Sequence, residues 1–76
     1  MTLTSAEIGS TYIVESMDLD LVTMRRLGAL GITKGTPVRM LNRNSGWAVI
    51  FMVRGSRLAV GKKIAEAIKV RRLVYE

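Results

Sequence analysis

The sequence predicts a mainly β fold, a small SH3-like barrel of about five strands with one short α-helix inserted after the first strand. Its length of 76 residues allows a single domain, residues 1–76. Hydrophobic residues make up 49% of the chain, which is ample for a globular core and too many for a disordered chain. The apolar segments are short, and short strands are better protected in a closed or nearly closed barrel, which leaves no exposed edges.

The first elements are a turn and a strand. Thr-Ser-Ala-Glu at 4–7 fits a capping box, in which the Thr4 and Glu7 side chains each bond a backbone N–H of the other residue. Gly9 follows too soon for a long helix, so we expect a single turn here. The β-branched and aromatic residues of TYIVE, at 11–15, predict the first strand.

A helix should follow the first strand. Asp18 or Asp20 can cap its N-terminus and place negative charge at the positive end of the helix dipole. Arg25 and Arg26 lie near its C-terminal end, where cations are favoured. Residues at helical spacing predict one buried face, formed by Leu21, Met24, Leu27 and Gly28.

The helix should end abruptly and lead directly into a strand. Gly31 stands where a helix ends in a left-handed residue, and Ile32 can then fold back against the last turn. Gly28 costs roughly 1 kcal/mol against alanine inside a helix, so we expect another backbone, that of a strand, to pack closely against it. Gly35 can supply a positive φ in the next turn, and Pro37 suits the first residue of an edge strand.

The remainder is predicted to be sheet. In order, the segments are a strand VRML (38–41), a hairpin loop NRNSG (42–46), a central strand WAVIFMV (47–53), a tight turn RGSR (54–57) around Gly55, a short strand LAV (58–60), a helical or 3₁₀ turn GKKIAEA (61–67) and a last strand IKVRRLV (68–74). The central strand is apolar on both sides. Because Phe51 is the largest side chain, its face, with Val49 and Val53, should point inward. The other face, with Ala48, Ile50 and Met52, should form a small apolar patch on the outside.

Several function classes are excluded by what the chain lacks. It contains no cysteine and no histidine, so we expect no disulfide and no cofactor. The oxygen ligands that remain for a metal ion are Asp18 with Asp20, and we expect these two at a helix N-terminus and not in a metal site. We expect no enzyme either, because no histidine can activate a nucleophile. The segment GSRLAVGKK at 55–63 resembles a P-loop, but its glycines are one residue too far apart and Lys63 stands where Ser or Thr should bind Mg²⁺.

The net charge of +6 suggests an acidic protein partner, a nucleic acid or an anionic membrane surface. Nucleic acid is the less favoured partner, because proteins that bind single strands stack bases on exposed aromatic residues. Trp47 is the only obvious residue for such stacking, since Phe51 is expected in the core. The start of the chain shows no targeting signal, and the longest apolar run, 47–53, is far short of the ~20 residues of a membrane span. We therefore expect a cytoplasmic protein.

Two long segments carry a family resemblance. RRLGALGITKGTPV at 25–38 and VRGSRLAVGKKIAEAIKV at 53–70 resemble, in order and spacing, the motifs of the FeoA family, ferrous iron transport protein A. The resemblance implies an SH3-like barrel that serves ferrous iron uptake. It implies a non-enzymatic cytoplasmic accessory of a membrane iron permease that carries a GTP-binding domain.

The alternative is the barrel of a metal-responsive transcriptional regulator, or a small basic nucleic-acid-binding protein. A regulator should carry a helix-turn-helix domain on the same chain, and these 76 residues leave no room for one.

Two surfaces are candidates for partner binding. The first consists of arginines expected to meet an acidic partner, namely Arg25, Arg26, Arg54 and Arg57. The second is the outer apolar face around Ile50 and Met52. We expect it to be covered by the inserted helix or the N-terminal turn, by a second copy in a weak homodimer, or by the partner.

Overall fold

The computed structural model describes residues 1–44 and 48–73, which form one antiparallel sheet with two helices. In chain order the elements are a 3₁₀ turn (Leu3–Ser5), β1 (Thr11–Met17), α1 (Leu21–Ala29), β2 (Pro37–Asn44), β3 (Ala48–Val53), β4 (Ser56–Gly61), α2 (Lys62–Ala67) and β5 (Ile68–Arg72). The sheet order is β4-β3-β2-β1-β5. The mainly β prediction, with one helix after the first strand, is confirmed. Across the described ranges the barrel is not closed, because β4 and β5 form the two ends of the sheet and α2 connects them.

The middle of the sheet differs from the prediction. β2, rather than the strand at 47–53, occupies the central position, and Pro37 therefore begins an interior strand, not an edge strand. Proline is accommodated there because it is the first residue of the strand, opposite Ile13. Residues 42–44, predicted to be loop, continue β2 and pair with β3. The rest of the predicted loop and Trp47 lie outside the described residues.

One core lies on the inner side of the sheet. Its fully buried members include Tyr12, Phe51, Leu3, Ile32, Met40 and Ile68. Strand β3 alternates as predicted, with Val49, Phe51 and Val53 buried and the intervening residues half-buried. The last strand alternates in the same way, because Ile68 and Val70 are buried while Lys69 is exposed.

The N-terminal segment is held by contacts other than the predicted capping box, which is wrong. The 3₁₀ turn has no side-chain cap, and the Thr4 hydroxyl lies 2.6 Å from the Thr2 hydroxyl instead. The Glu7 carboxylate pairs with Arg72 at 2.8 Å. Arg43 of β2 donates to the Thr4 carbonyl at 2.6 Å. Long-range contacts to the sheet therefore order this segment, and a local sequence pattern does not report them.

The hydroxyl of Tyr12 joins the same contacts. It accepts a hydrogen bond from the Glu7 backbone N–H at 2.8 Å, and the Arg72 guanidinium lies beside it and over its ring. Burial alone would raise the pKa of Tyr12, but the hydrogen bonds from Arg72 and from the Glu7 N–H outweigh it and lower that pKa.

The start of α1 follows the prediction with Asp20, not Asp18, as the N-cap. The backbone N–H of Thr23 donates to Asp20 Oδ2 at 3.1 Å, and the Thr23 hydroxyl donates to Oδ1 at 2.6 Å. These two hydrogen bonds lower the pKa of the Asp20 carboxyl.

Candidate docking surface

The end of α1 is a Schellman motif, as the glycine pattern predicts. Gly31 has a φ of 95°, in the left-handed region, and its N–H donates to the Gly28 carbonyl at 3.0 Å. The N–H of Ile32 reaches back to the Leu27 carbonyl at 2.9 Å, and both side chains are buried together. The helix is therefore fixed to the core at its C-terminal end.

Gly28 does not have the predicted role. The nearest atom to a Cβ added there is the Thr33 methyl at 4.0 Å, which is ordinary van der Waals contact, and Thr33 belongs to the turn after the helix. No strand in residues 1–44 and 48–73 packs closely against Gly28, so that prediction is wrong. The close approach occurs at Gly31, where an added Cβ would lie 2.8 Å from Arg54 Cδ.

The β3–β4 turn brings Arg54 to the end of α1. Arg54 and Gly55 have φ values of 49° and 79°, and Val53 pairs with Ser56, so this is a two-residue hairpin turn with both central residues left-handed. The Arg54 Nε donates to the Gly31 carbonyl at 3.4 Å. A cation is favoured at this point, because the last carbonyls of a helix carry partial negative charge.

Helix α1 exposes large apolar side chains next to its arginines. Leu21, Val22 and Leu30 are 62%, 60% and 52% exposed, and Arg25 and Arg26 are exposed beside them. The predicted buried face was therefore wrong at Leu21: of its four members only Leu27 is buried, while Met24 and Gly28 are half-buried.

We call Val22, Arg25, Arg26, Leu30 and Arg54 the helix-end surface. Val22 and Leu30 were not among the residues predicted from the sequence. The signal for them was their spacing of four from Arg26, which places all three residues on one side of a helix.

Arg57 and the outer residues of β3 belong to a different surface. Arg57 of β4 is the register partner of Met52 on β3, and Met52 is in turn the partner of Arg39 on β2. Ile50 stands two residues further along β3 and is half-buried. The structure therefore divides the four predicted arginines between two places. Arg25, Arg26 and Arg54 lie on or at the end of α1, and Arg57 lies on the outer face of the sheet.

The charges are strongly segregated along the chain. Residues 21–65 contain nine lysines and arginines and no aspartate or glutamate. Within residues 1–44 and 48–73, the ion pairs are Glu7 with Arg72 and the exposed pair Lys62 with Glu66. The basic side chains of both surfaces therefore lack an intramolecular carboxylate in the described part of the chain, and an acidic partner would complement them.

The structure gives little support to metal or base-stacking sites. In the described ranges no group of three or more His, Cys, Asp or Glu side chains could hold a metal ion. Both oxygens of Asp20 bond Thr23. Tyr12 and Phe51 are fully buried and offer no face for a base, and Trp47 lies outside the described residues.

A shallow cleft of about 410 Å³ opens between β1 and the turn after α1. Its apolar lining includes Met17, Met24 and Ile32, with Glu15 and Lys34 also contributing. Since it carries one charge of each sign, it does not share the purely basic character of the two surfaces.

No helix among the described residues has the length and hydrophobicity that a membrane crossing requires.

Comparison with known proteins places this geometry in a family. The family model described as the FeoA domain matches residues 1–72. The chain belongs to the FeoA family. A relative in Methanocaldococcus jannaschii, provisionally named Fe(2+) transport protein A, is 33% identical over 73 residues, which cover 96% of this chain and 88% of the relative. FeoA membership associates the chain with Fe(2+) transport.

Solved structures agree with this assignment. The solution structure of a FeoA protein from Chlorobium tepidum superposes with a TM-score of 0.90 at 27% identity and covers 97% of this chain and 71% of that one. A crystal structure of an iron uptake regulatory protein, FeoA, gives 0.87 at 27% identity, over 96% of this chain and 97% of that one. A manganese-dependent transcriptional repressor in complex with manganese gives 0.85 at 26% identity, over 96% of this chain but 36% of the repressor. The FeoA fold thus also occurs as one part of a larger metal-dependent repressor.

Proposed function

We propose that this chain supports ferrous iron uptake as a non-enzymatic cytoplasmic accessory that binds the cytoplasmic part of a GTP-binding iron permease. Contact is made through the helix-end surface. The observation that carries the proposal is the exposure of Val22 and Leu30 on α1 beside Arg25, Arg26 and Arg54. Membership of the FeoA family supports the link to Fe(2+) transport.

The two kinds of side chain on this surface have different tasks. Exposed apolar side chains stabilise a complex when they are buried, by roughly 1.5–3 kcal/mol for a fully buried leucine or valine. The arginines steer an acidic partner toward the surface and fix its orientation. The hydrogen bond from Arg54 Nε to the Gly31 carbonyl places this arginine at the C-terminal end of α1, beside the residue that follows Leu30.

A second candidate function is nucleic-acid binding, either as one domain of a transcriptional regulator or as an independent protein. The manganese-dependent repressor with the same fold favours it, as does the basic stretch at 21–65. The burial of Tyr12 and Phe51 disfavours single-strand binding, because bases would have no aromatic platform in the described ranges.

The test measures the affinity of the chain for the cytoplasmic GTP-binding domain of the permease, at low and at physiological salt. We expect the double variant Arg25→Glu, Arg26→Glu to bind at least ~10-fold more weakly, since ~1.4 kcal/mol corresponds to tenfold. The loss should shrink as salt rises. Leu30→Ser should weaken binding with little dependence on salt, because it removes apolar contact and no charge.

The matched control is Lys62→Glu, Lys63→Glu on α2, which makes the same change in net charge at another exposed pair. It should change affinity by less than ~3-fold. Equal weakening by both pairs would show that net charge and not the helix-end surface drives binding. Tight binding of the wild-type chain to random single-stranded DNA at physiological salt, without binding to the permease domain, would favour the second candidate.

A further inference from the structure

The outer face of β2, β3 and β4 carries a row of three side chains that the proposed function leaves unused. Arg39, Met52 and Arg57 are direct register partners across the three strands, so the two arginines flank the methionine. We call these residues the sheet-face row. Both arginines are exposed and Met52 is half-buried. Ile50 extends the apolar part along β3.

This face is basic and apolar without acidic residues. Strands β2, β3 and β4 contain no aspartate or glutamate. Among the ion pairs that the described residues form, none involves Arg39 or Arg57. On the other side of the same strands, Val38, Phe51 and Val60 are buried in the core, so the sheet fixes the backbone positions of the row.

We propose that the sheet-face row is a docking site for an acidic amphipathic helix of a partner protein, separate from the helix-end surface. Two strand spacings separate β2 from β4, about 9.6 Å, because neighbouring strands lie about 4.8 Å apart. Two side chains one heptad apart on a helix are about 10.5 Å apart along its axis. A helix that crosses the strands can therefore present one carboxylate to Arg39, another to Arg57 and an intervening leucine to Met52.

A second copy of this chain is a poor occupant of the same site. A two-fold dimer would bring the sheet-face rows of the two copies together, and each row carries two arginines and no carboxylate to neutralise them. Each copy also has a net charge of +6. The weak homodimer expected around Ile50 is therefore less favourable than a complex with an acidic partner.

The probe is a synthetic, alanine-based helical peptide. It carries two glutamates one heptad apart and one leucine between them on the same face of the helix. Binding is measured by fluorescence anisotropy and mapped by amide shifts in NMR spectra. We expect shifts on β2, β3 and β4. The double variant Arg39→Glu, Arg57→Glu should weaken binding at least ~10-fold, which corresponds to ~0.7 kcal/mol for each arginine, and Met52→Ser should weaken it less.

Two controls test whether peptide binding is specific to the sheet-face row. Lys62→Glu, Lys63→Glu makes the same change in net charge on α2 and should alter peptide affinity by less than ~3-fold. A peptide of the same composition with the two glutamates on opposite faces should bind the wild-type chain at least ~5-fold more weakly, because only one arginine can then be engaged.

Three results would overturn the proposal. Equal loss in both double variants would show attraction by net charge alone. Tighter binding to anionic lipid vesicles or to single-stranded DNA than to the peptide, if it is lost in Arg39→Glu, Arg57→Glu, would assign the row to another class of partner. A dimer in sedimentation that Met52→Ser dissolves would assign the row to a second copy. The permease measurements stand apart, because they depend on Arg25 and Arg26.

Discussion

Strand β3 and helix α1 are both rich in apolar residues, yet the sequence pattern assigned the faces of one correctly and of the other incorrectly. In β3, the residues predicted to point inward, Val49, Phe51 and Val53, are buried. In α1, Leu21 was predicted to be buried and is 62% exposed, whereas Leu27 is buried. The difference lies in how each element meets the rest of the protein.

A strand inside a sheet has its faces fixed by its neighbours. Register with β2 and β4 holds every residue of β3, so alternation along the strand determines which side chains are buried. Helix α1 has nine residues and is fixed through the Schellman motif at its C-terminal end. Its first two residues, Leu21 and Val22, are exposed, whereas Met24 is half-buried. Helical spacing alone does not show which residues of such a face reach the core.

The largest expected effect tests the two faces of β3. Phe51→Ala should lower the free energy of unfolding by ~3–5 kcal/mol, because it removes a fully buried ring and leaves a cavity. Met52→Ala, on the other face of the same strand, should cost less than ~1.5 kcal/mol because its side chain is only partly buried. Urea unfolding followed by circular dichroism measures both.

If Phe51→Ala does not fold, Phe51→Leu gives the comparison, since it keeps most of the apolar volume. The face assignment would be reversed if Met52→Ala proved more destabilising than either variant of Phe51.

The next comparison applies the same test along α1. Leu27→Ala should cost ~2–5 kcal/mol, because Leu27 is buried and packs with Ile32. Leu21→Ala should be neutral within ~0.5 kcal/mol, because Leu21 is largely exposed and alanine is the better helix former. Thermal unfolding of the two variants measures the difference, and similar losses would mean that the whole helix packs on the sheet.

Local chemistry made most of the fold predictable. The Gly31 helix stop, the turn around Gly55 and the alternation in β3 follow from glycine conformations and from period-two burial, which neighbouring residues determine. The position of β2 at the sheet centre and the Arg43 contact to the N-terminal segment depend on residues far apart in the chain. No local pattern encodes them, so the capping box and the edge-strand prediction failed.

The candidate site was predictable in composition but not in arrangement. The arginines were found from charge, since basic side chains without carboxylates indicate an acidic partner. The separation of Arg54 from Arg57 depends on the two-residue turn, which directs Arg54 toward Gly31, and on strand register, which places Arg57 beside Met52. Leu30 was missed because its exposure depends on how the helix is anchored.

The third effect is smaller and concerns the anchor itself. Gly31→Ala should cost ~1–2 kcal/mol, because its φ of 95° is left-handed and strained for alanine. Arg54 must also shift, since its Cδ would lie 2.8 Å from the new Cβ. Thermal unfolding of Gly31→Ala and of Gly31→Ala combined with Arg54→Ala separates the two causes. Full recovery in the double variant would attribute the loss to Arg54 and not to backbone strain.

The smallest expected effect has the opposite sign and occurs three residues earlier. Gly28→Ala should raise the free energy of unfolding by ~0.5–1 kcal/mol, because alanine restricts the unfolded chain and is the better helix former. Space for the methyl group exists, since the nearest atom would be the Thr33 methyl at 4.0 Å, and Gly28 lies in α1 without a positive φ. The melting temperature should rise by roughly 2–8 °C in a domain of this size, while Gly31→Ala lowers it. A lower melting temperature for Gly28→Ala would instead support the close backbone contact that was predicted from the sequence at Gly28. It would show that α1 packs more tightly than the exposure of Leu21 and Val22 indicates.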